Sequence, residues 1–245
     1  MTTVALYNIK GGVGKTAGCV NLAYLAAEDG KKVCVWDLDP QGSGSYYFQV
    51  QPKLKGGLKK LLQGDSSLAD VVQATQYPNL DLVPADFSNR HLDLVLDELK
   101  QAKKRFKGLV AQLADKYDYL FIDCPPGIGL LSETIFAAAD YVVVPTIPTT
   151  LSLRTWEMVR AFFAENDIDQ EKLRGFFSMA DIRKTLHNEV LNEFYRNKQF
   201  LKNYIPYLSV VEKMGTRLAP VVAFAPSSYG AQCFKDIWKE LKKSM

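Results

Sequence analysis

Several features are scarce in this chain of 245 residues, and each absence excludes a class of protein. No uninterrupted apolar run reaches the roughly eighteen residues that a transmembrane helix needs. The four cysteines lack C-x-x-C spacing, which argues against a zinc site, an iron–sulfur cluster or a disulfide framework and favours reduced thiols in the cytoplasm. The first residues carry no basic segment, so we also expect no secretory signal peptide.

The composition is that of an ordinary globular protein, with 47% hydrophobic and 23% charged residues. The net charge of +3 conceals an asymmetry, because residues 172–245 hold 13 lysines and arginines against 6 acidic residues. Such a basic segment favours an anionic partner such as nucleic acid or a membrane surface. The alternative is a basic face that contacts only solvent, and charge alone does not separate the two.

Apolar, β-rich segments alternate with amphipathic ones along the whole chain. This alternation predicts an α/β fold, with a mostly parallel twisted sheet and helices on both faces. Strands are predicted at residues 4–7, 32–36, 79–83, 119–122, 141–144 and 175–179, with a last strand beginning near 204–206. Helices are predicted at residues 16–27, 92–116, 155–165, 188–194 and 231–243. Residues 41–57 are expected to form a long loop. No linker divides the chain, so we expect one domain over residues 1–245.

A glycine-rich segment between the first strand and the first helix is the strongest functional signal. Residues 10–16 read Lys-Gly-Gly-Val-Gly-Lys-Thr. Glycines let the backbone wrap closely around a triphosphate, and the following helix presents the positive end of its dipole. Lys15 is expected to reach the β- and γ-phosphates, and the Thr16 hydroxyl to ligate Mg²⁺. The loop departs from the G-x-x-x-x-G-K-[ST] pattern because Ile9 stands where the first glycine is expected, and Lys10 follows it. The expected phosphate-binding residues are Lys10, Gly11, Gly12, Val13, Gly14, Lys15, Thr16 and Ala17.

Acidic residues follow two apolar strands. Asp37 and Asp39 end the second strand, and Asp123 follows the four apolar residues 119–122. The carboxyl ends of parallel strands line the ligand crevice of an open sheet. Asp123 has the position of a Walker-B aspartate that faces Mg²⁺. Of the other two, one can help to hold Mg²⁺ and the other can orient an attacking water.

These motifs together resemble the ParA/MinD family of deviant Walker-A ATPases. The resemblance is carried by the loop at 10–16, by Asp-Leu-Asp-Pro-Gln-Gly at 37–42 and by Asp-Cys-Pro-Pro at 123–126, with further likeness at 139–145 and 228–231. It implies an ATPase that uses ATP and Mg²⁺ and forms a homodimer when ATP binds. It further implies that Lys10 reaches the partner's phosphates, that Asp39 positions the hydrolytic water and contributes to the metal site, and that Asp37 gives further support to Mg²⁺.

Within the family the chain is most similar to small ParA/Soj-like proteins. The first predicted strand begins near residue 4, so we expect no helix-turn-helix domain ahead of it. The resemblance implies ATP-dependent binding to non-specific DNA, release by a ParB-like activator or cargo adaptor, and positioning of a plasmid, a chromosome or a protein assembly. The protein is then cytoplasmic and nucleoid-associated in its ATP state, and membrane association is not expected.

Two positions depart from the family pattern. Ala17 stands where a second threonine is usual, which predicts a weaker phosphate contact. Tyr207 and Val210 stand where chromosomal members carry arginines just after the Ile-Pro pair at 205–206. DNA binding would then depend on other cations of the basic segment. These candidates are Arg183, Lys184, Arg196, Lys198, Lys202, Lys213 and Arg217.

Other interpretations remain open. A MinD- or FlhG-like membrane ATPase is the main alternative, because residues 234–243 form a basic amphipathic pattern that can lie on a membrane or pack as a last core helix. A metabolic P-loop enzyme of the same fold has no second substrate motif in its favour. The cations Lys100, Lys103, Lys104, Arg105 and Lys107 form either a solvated helix face or part of a second DNA surface.

Overall fold

The computed structural model describes residues 1–51 and 57–245. In this part of the chain, seven strands form one sheet. Six of them overlap the apolar segments predicted as strands, whereas the exposed two-residue strand Gln73–Ala74 was not predicted. The strands are β1 (Thr2–Leu6), β2 (Val33–Asp37), β3 (Gln73–Ala74), β4 (Leu80–Val83), β5 (Tyr119–Asp123), β6 (Tyr141–Thr146) and β7 (Leu173–Phe177).

Helices connect most of these strands, as the alternation of apolar and amphipathic segments predicts. They are α1 (Lys15–Glu28), α2 (Ser43–Tyr47), α3 (Gly57–Gln63), α4 (Leu92–Glu98), α5 (Ala102–Ala111), α6 (Leu130–Ala138), α7 (Thr150–Glu165), α8 (Thr185–Phe194), α9 (Ser209–Glu212), α10 (Met214–Arg217), α11 (Val221–Phe224) and α12 (Tyr229–Ser244).

The sheet has the order β3-β4-β2-β5-β1-β6-β7. Only β3 runs antiparallel to its neighbour among the described strands, and every other pairing is parallel. The strands on either side of β1 come from later in the chain, so the loops that leave β1, β2 and β5 converge at one edge of the sheet. This edge is where an open parallel sheet binds ligands.

Helices cover both faces of the sheet, which confirms the predicted α/β class. On one face α1, α11 and α12 pack against the β-strands through Leu22, Val222 and Ile237. On the other face α3 to α8 contribute Leu61, Leu96, Phe106, Ile135, Trp156 and Val190. Parallel strands buried on both sides explain why the strand segments read as continuous apolar runs rather than as alternating ones.

The prediction of a single helix over residues 92–116 is wrong. Two helices, α4 and α5, occupy this segment, and Gln101 between them has a left-handed φ of 60°. The turn lets Leu96 of α4 and Phe106 of α5 both reach the core, where Phe106 stacks on Trp36 at 5.0 Å between ring centroids. Helical periodicity alone does not reveal such a break when no glycine or proline marks it.

Two expectations about connecting segments are also corrected. Residues 41–57 are not one long loop, because Ser43–Tyr47 forms α2; residues 52–56 lie outside the described residues. No last strand begins at 204–206, where only an isolated parallel bridge joins Ala180 to Pro206. The Ile205 amide donates to the Phe177 carbonyl at the end of β7 and the Tyr207 amide donates to the Ala180 carbonyl, after which the chain enters α9.

The amphipathic C-terminal helix packs into the core. Ile237, Trp238 and Leu241 of α12 are buried, and the Trp238 indole donates a hydrogen bond to Asp29 at the end of α1. The apolar face that a membrane-bound helix would need is therefore covered by the protein itself. No helix among residues 1–51 and 57–245 combines the length and apolar character needed to cross a bilayer.

Candidate nucleotide-binding site

The glycine-rich segment forms the turn between β1 and α1. Gly12 and Gly14 have left-handed φ values of 72° and 91°, which residues with a Cβ rarely adopt. Helix α1 then begins at Lys15, so its first amides face the space enclosed by the loop. This geometry is that of an anion-binding loop at the positive end of a helix dipole.

Side chains that the motif does not include hold this loop in place. Buried Asn8 accepts a hydrogen bond from the Lys10 amide at 2.9 Å and donates one to the Pro145 carbonyl at 2.8 Å. The Ser178 hydroxyl donates to the Val13 carbonyl at 2.7 Å. These contacts join the loop to β6 and β7. Their partners are more than 130 residues apart in sequence, so no local pattern could identify Asn8 and Ser178.

The two lysines of the loop have different surroundings. Lys15 is buried, and its Nζ donates to the Lys10 carbonyl at 3.2 Å. Burial lowers the pKa of Lys15, and the negative charges of Asp123 and Asp39 oppose this shift. Lys10 is partly exposed, and no described residue forms a hydrogen bond or an ion pair with its Nζ. Lys15 is thus fixed inside the loop, whereas no hydrogen bond or ion pair to a described residue fixes the Lys10 ammonium.

Asp37 and Asp123 lie side by side at the carboxyl ends of β2 and β5, where they are direct register partners. Both are fully buried. Burial raises the pKa of Asp37 to about 6, with a smaller contribution from the charge of Asp39. Burial also raises the pKa of Asp123 well above its usual range, and the charges of Asp37 and Asp39 add to that shift. The nearby Thr16 hydroxyl and Lys15 ammonium partly offset the shift of Asp123.

These carboxylates retain acceptor capacity. Within the part of the chain that the structure describes, Asp37 Oδ1 and both Asp123 oxygens are buried without a hydrogen-bond donor in normal geometry. Buried carboxylate oxygens are costly unless they are paired or face a cation. The arrangement therefore fits a positive group, such as a magnesium ion with its water shell, beside Thr16.

Helix α2 closes this carboxylate pair from one side. Ser45 donates its amide and its hydroxyl to Asp37 Oδ2, and the Ala85 amide donates to the Ser45 hydroxyl at 2.9 Å. Gly44 passes so close that a Cβ there would lie 3.1 Å from Asp37 Oδ2 and 3.5 Å from Asp123 Oδ2. Ser45 and Gly44 were missed from sequence because they fall in the segment predicted to be a loop.

The remaining predicted residues lie around the loop. Asp39 is partly exposed, and its carboxylate accepts a hydrogen bond from the Gln41 amide at 2.9 Å. Thr16 and Ala17 are partly exposed in the first turn of α1. Gly14 and Ala17 also border an apolar cleft next to the loop. Its other walls include Phe176, Met179, Ile205, Pro206, Leu208 and Val211.

The seven candidate DNA-binding cations are all exposed, but they do not lie on one element. Arg183 and Lys184 precede α8, and Arg196, Lys198 and Lys202 follow it, whereas Lys213 and Arg217 flank or end α10. Arg183 forms a two-pronged ion pair with Asp181, with both N–O distances at 2.9 Å, and holds the pKa of Asp181 at about 2. Arg183 is therefore the cation of this set that is already neutralised.

The sheet order, the loop before α1 and the buried aspartates together define a P-loop nucleotide-binding protein. The family model of the AAA domain matches residues 1–171 of this sequence. The chain belongs to the ParA/MinD family of P-loop ATPases, which confirms the resemblance seen in its motifs.

Similar proteins extend over nearly the whole chain. The sporulation initiation inhibitor protein Soj of Bacillus subtilis is 30% identical, with 97% of each chain covered. A plasmid partition protein from Borrelia burgdorferi bound to AMPPNP shares the fold with a TM-score of 0.86 at 19% identity, over 100% of this chain and 99% of that one. A cobyrinic acid a,c-diamide synthase from Mycobacterium smegmatis, with a bound ATP analogue and magnesium, gives a TM-score of 0.83 at 26% identity, covering 99% and 94%.

Proposed function

We propose that this ATPase is a Mg·ATP-dependent switch that dimerises on ATP, binds non-specific DNA in that state and positions a cargo through a ParB-like activating partner. The observation that carries the proposal is the fixed loop at 10–16 beside the buried Asp37–Asp123 pair. Similarity to a relative named chromosome partitioning protein ParA, from Myxococcus xanthus, and to one named chromosome-partitioning ATPase Soj, from Treponema pallidum, supports the partition role. In this proposal the partner sets the cargo.

The phosphate groups are held by the loop. In the proposal the loop amides and Lys15 bind the β- and γ-phosphates. The backbone that approaches the phosphates closely is that of Gly11, Gly12, Val13 and Gly14. The apolar cleft beside Gly14 and Ala17 takes the adenine base, since flat apolar walls suit a purine ring. Ala17 offers no hydroxyl to the phosphates, so contact there is through its backbone.

The magnesium site is built from few protein ligands. Among the described residues no cluster of three or more His, Cys, Asp or Glu side chains is arranged to hold a metal by itself. Mg²⁺ commonly keeps several waters and is completed by phosphate oxygens, so this sparse set suits it. Thr16 is the direct protein ligand in this proposal, and Asp123, Asp37 and Asp39 accept hydrogen bonds from its waters. Bound Mg²⁺ neutralises phosphate charge.

Hydrolysis depends on positioning and charge, because the protein makes no covalent bond to the phosphate. Asp39 orients the attacking water from the rim of the site, where it is partly exposed. The Lys10 ammonium, which no described residue neutralises, crosses to the partner's phosphates and stabilises the charge that develops there. Turnover is slow until dimerisation and the activating partner complete this arrangement.

The main alternative is a MinD-like membrane ATPase. Its expected anchor, α12, has its apolar face buried in the core, which favours DNA over a membrane. The similarity to an enzyme named as a diamide synthase keeps a metabolic ATPase as the second candidate.

One binding experiment separates these functions. The protein is mixed with non-specific duplex DNA and with anionic liposomes, with ATP, with ADP or without nucleotide, at two salt concentrations. We expect DNA binding only with ATP and a steep loss at higher salt. Liposome binding would favour the membrane alternative, and binding to neither would favour the metabolic one. The proposed localisation, cytoplasmic and on the nucleoid in the ATP state, follows from the first outcome.

A further inference from the structure

Two neighbouring helices, α3 and α5, carry basic side chains and no acidic ones. Helix α3 contains Lys59 and Lys60, and α5 contains Lys103, Lys104, Arg105 and Lys107. The two helices pack against each other, so their cations share one region of the surface. Both lie on the sheet face that also carries α8, but α5 packs on Trp36 of β2, whereas α8 lies near the β7 edge.

Some of these cations have structural partners. The Arg105 guanidinium donates to the Leu62 carbonyl at 3.0 Å and thereby ties α5 to the carbonyl end of α3. Lys103 forms an ion pair with Glu133, and Lys59 lies 3.8 Å from Glu98. These three side chains are explained by packing and by local charge.

Lys60 of α3 and three lysines of α5 and the turn before it are exposed and have no such explanation. Lys100, Lys104 and Lys107 form no side-chain hydrogen bond and no ion pair within residues 1–51 and 57–245. We call these three residues the α5 lysine face. Lys100 lies just before α5 and Lys104 lies in its first turn, where the positive end of the helix dipole disfavours cations. Lys104 and Lys107 are also one turn apart and repel each other. The folded chain is therefore less stable for carrying them.

We propose that the α5 lysine face binds the phosphate backbone of duplex DNA as a second contact surface, separate from the cations around α8. The inference rests on the proposed DNA-binding function and adds a site to it. Lysine ammonium groups are point charges that contact phosphates without reading base edges, which suits binding without sequence preference.

The chemistry of the face favours DNA over a lipid surface. The apolar residues of α5, Phe106, Leu109 and Val110, are all buried, so the exposed side of the helix has no apolar group to insert into a membrane. The other exposed positions on α5 beside the lysines are Arg105, Gly108 and Ala111, and the two small residues allow the backbone of a rigid duplex to approach. A face of this kind attracts a dense row of phosphates through charge alone.

The test compares two double variants of the full chain in the presence of ATP. K104E/K107E reverses the face, and K239E/K243E makes the same charge change at two exposed positions one turn apart on α12. Binding to a non-specific duplex is measured by fluorescence anisotropy over a series of salt concentrations. Losing two phosphate contacts should reduce the magnitude of the slope of log affinity against log salt by about 1.8. Affinity should fall at least tenfold at low salt for K104E/K107E and much less for the control.

The melting temperature distinguishes a DNA contact from a structural role. Because both positions are exposed and the glutamate introduced at position 104 would lie in the first turn of α5, where the helix dipole favours an acidic residue, K104E/K107E should melt at the same temperature as the parent protein or above it. Equal DNA affinity and equal salt slope in the parent and K104E/K107E would overturn the inference, and so would an equal loss in the control. If the parent itself binds no DNA with ATP, the proposed function fails as well. Retained DNA binding by K104E/K107E leaves that function intact and removes only the second surface.

Discussion

Ser45 directs both its backbone amide and its hydroxyl to the same oxygen of Asp37, at 2.7 and 2.8 Å. This double contact leaves the other carboxylate oxygen, Oδ1, free to face Asp123 and the loop. Since the Ser45 hydroxyl also accepts a hydrogen bond from Ala85, it joins α2 to the end of β4. The orientation of a proposed metal-site carboxylate therefore depends on a residue eight positions further along the chain.

Replacing Ser45 by alanine should weaken both the fold and the metal site. The buried Ala85 amide loses its acceptor and Asp37 loses one donor, which costs about 1–3 kcal/mol of unfolding free energy. We expect the extra stabilisation by Mg·ATP over ATP alone to shrink, measured by thermal denaturation. Ser43→Ala is the matched control, because the Ser43 side chain forms no hydrogen bond with described residues. Equal behaviour of the two variants would contradict the orienting role.

Replacing Lys15 by alanine should abolish nucleotide binding. The Lys15 ammonium is buried inside the loop and held by the Lys10 carbonyl, so no other described cation can take its place. We expect affinity for a fluorescent ATP analogue to fall at least about 100-fold, which corresponds to about 2.7 kcal/mol. Lys10→Ala should bind the analogue normally and fail in ATP-dependent dimerisation, measured by light scattering. Normal nucleotide affinity in Lys15→Ala would refute the site assignment.

Removing one charge from the buried carboxylate pair should stabilise the protein when nucleotide is absent. Burial raises the pKa of Asp37 to about 6, and burial together with the charge of Asp37 raises the pKa of Asp123 well above its usual range, so two ionised carboxylates are disfavoured here in the fold. Asp123→Asn should raise the melting temperature at pH 7.5, because the amide removes a buried charge that repels Asp37. The same variant should lose Mg²⁺-dependent nucleotide binding. A lower melting temperature of Asp123→Asn without nucleotide would show that repulsion between the two carboxylates does not destabilise the fold.

Replacing glycine by alanine should have opposite effects on stability at two positions. A Cβ at Gly175 in β7 would lie 2.6 Å from the Phe200 ring, so Gly175→Ala forces a buried aromatic side chain to move. We expect a loss of about 1–3 kcal/mol, as for other overpacked cores. Gly108 in α5 has no atom within 4 Å of such a Cβ, and Gly108→Ala should stabilise the helix by about 0.5–1 kcal/mol. Chemical denaturation measures both, and a destabilised Gly108→Ala would contradict the open surface described for α5.

The surroundings of His187 should make the stability of the fold fall as the pH drops below neutrality. It is buried, and its Nδ1 accepts a hydrogen bond from the Asp181 amide at 3.0 Å. Burial, with the charge of Lys184, lowers the pKa of His187 below its usual value of 6.5. The unfolded chain therefore takes up a proton first, so this contribution is complete above pH 6.5 and is lost as the pH falls through the lower folded pKa. His187→Asn keeps an acceptor but does not titrate, and its melting temperature should fall less between pH 7.5 and 5.5 than that of the parent.

The position of the glycine-rich loop between β1 and α1 could be predicted from sequence because its residues are contiguous. Six of the seven described strands could be predicted for the same reason, since each is a short apolar run, whereas the exposed strand β3 could not. Asn8, Ser45 and Ser178 could not, because their partners are brought together only by the order of the strands in the sheet. The break at Gln101 escaped prediction because its left-handed backbone is imposed by packing of α4 and α5 on a shared core.

All four cysteines, Cys19, Cys34, Cys124 and Cys233, are buried as free thiols. Burial raises the pKa of each thiol, so the reactive thiolate is scarce at neutral pH. Maleimide dyes should therefore label the native chain only slowly. A single cysteine introduced on an exposed helix can carry a fluorophore for distance measurements between subunits, without removing any natural residue.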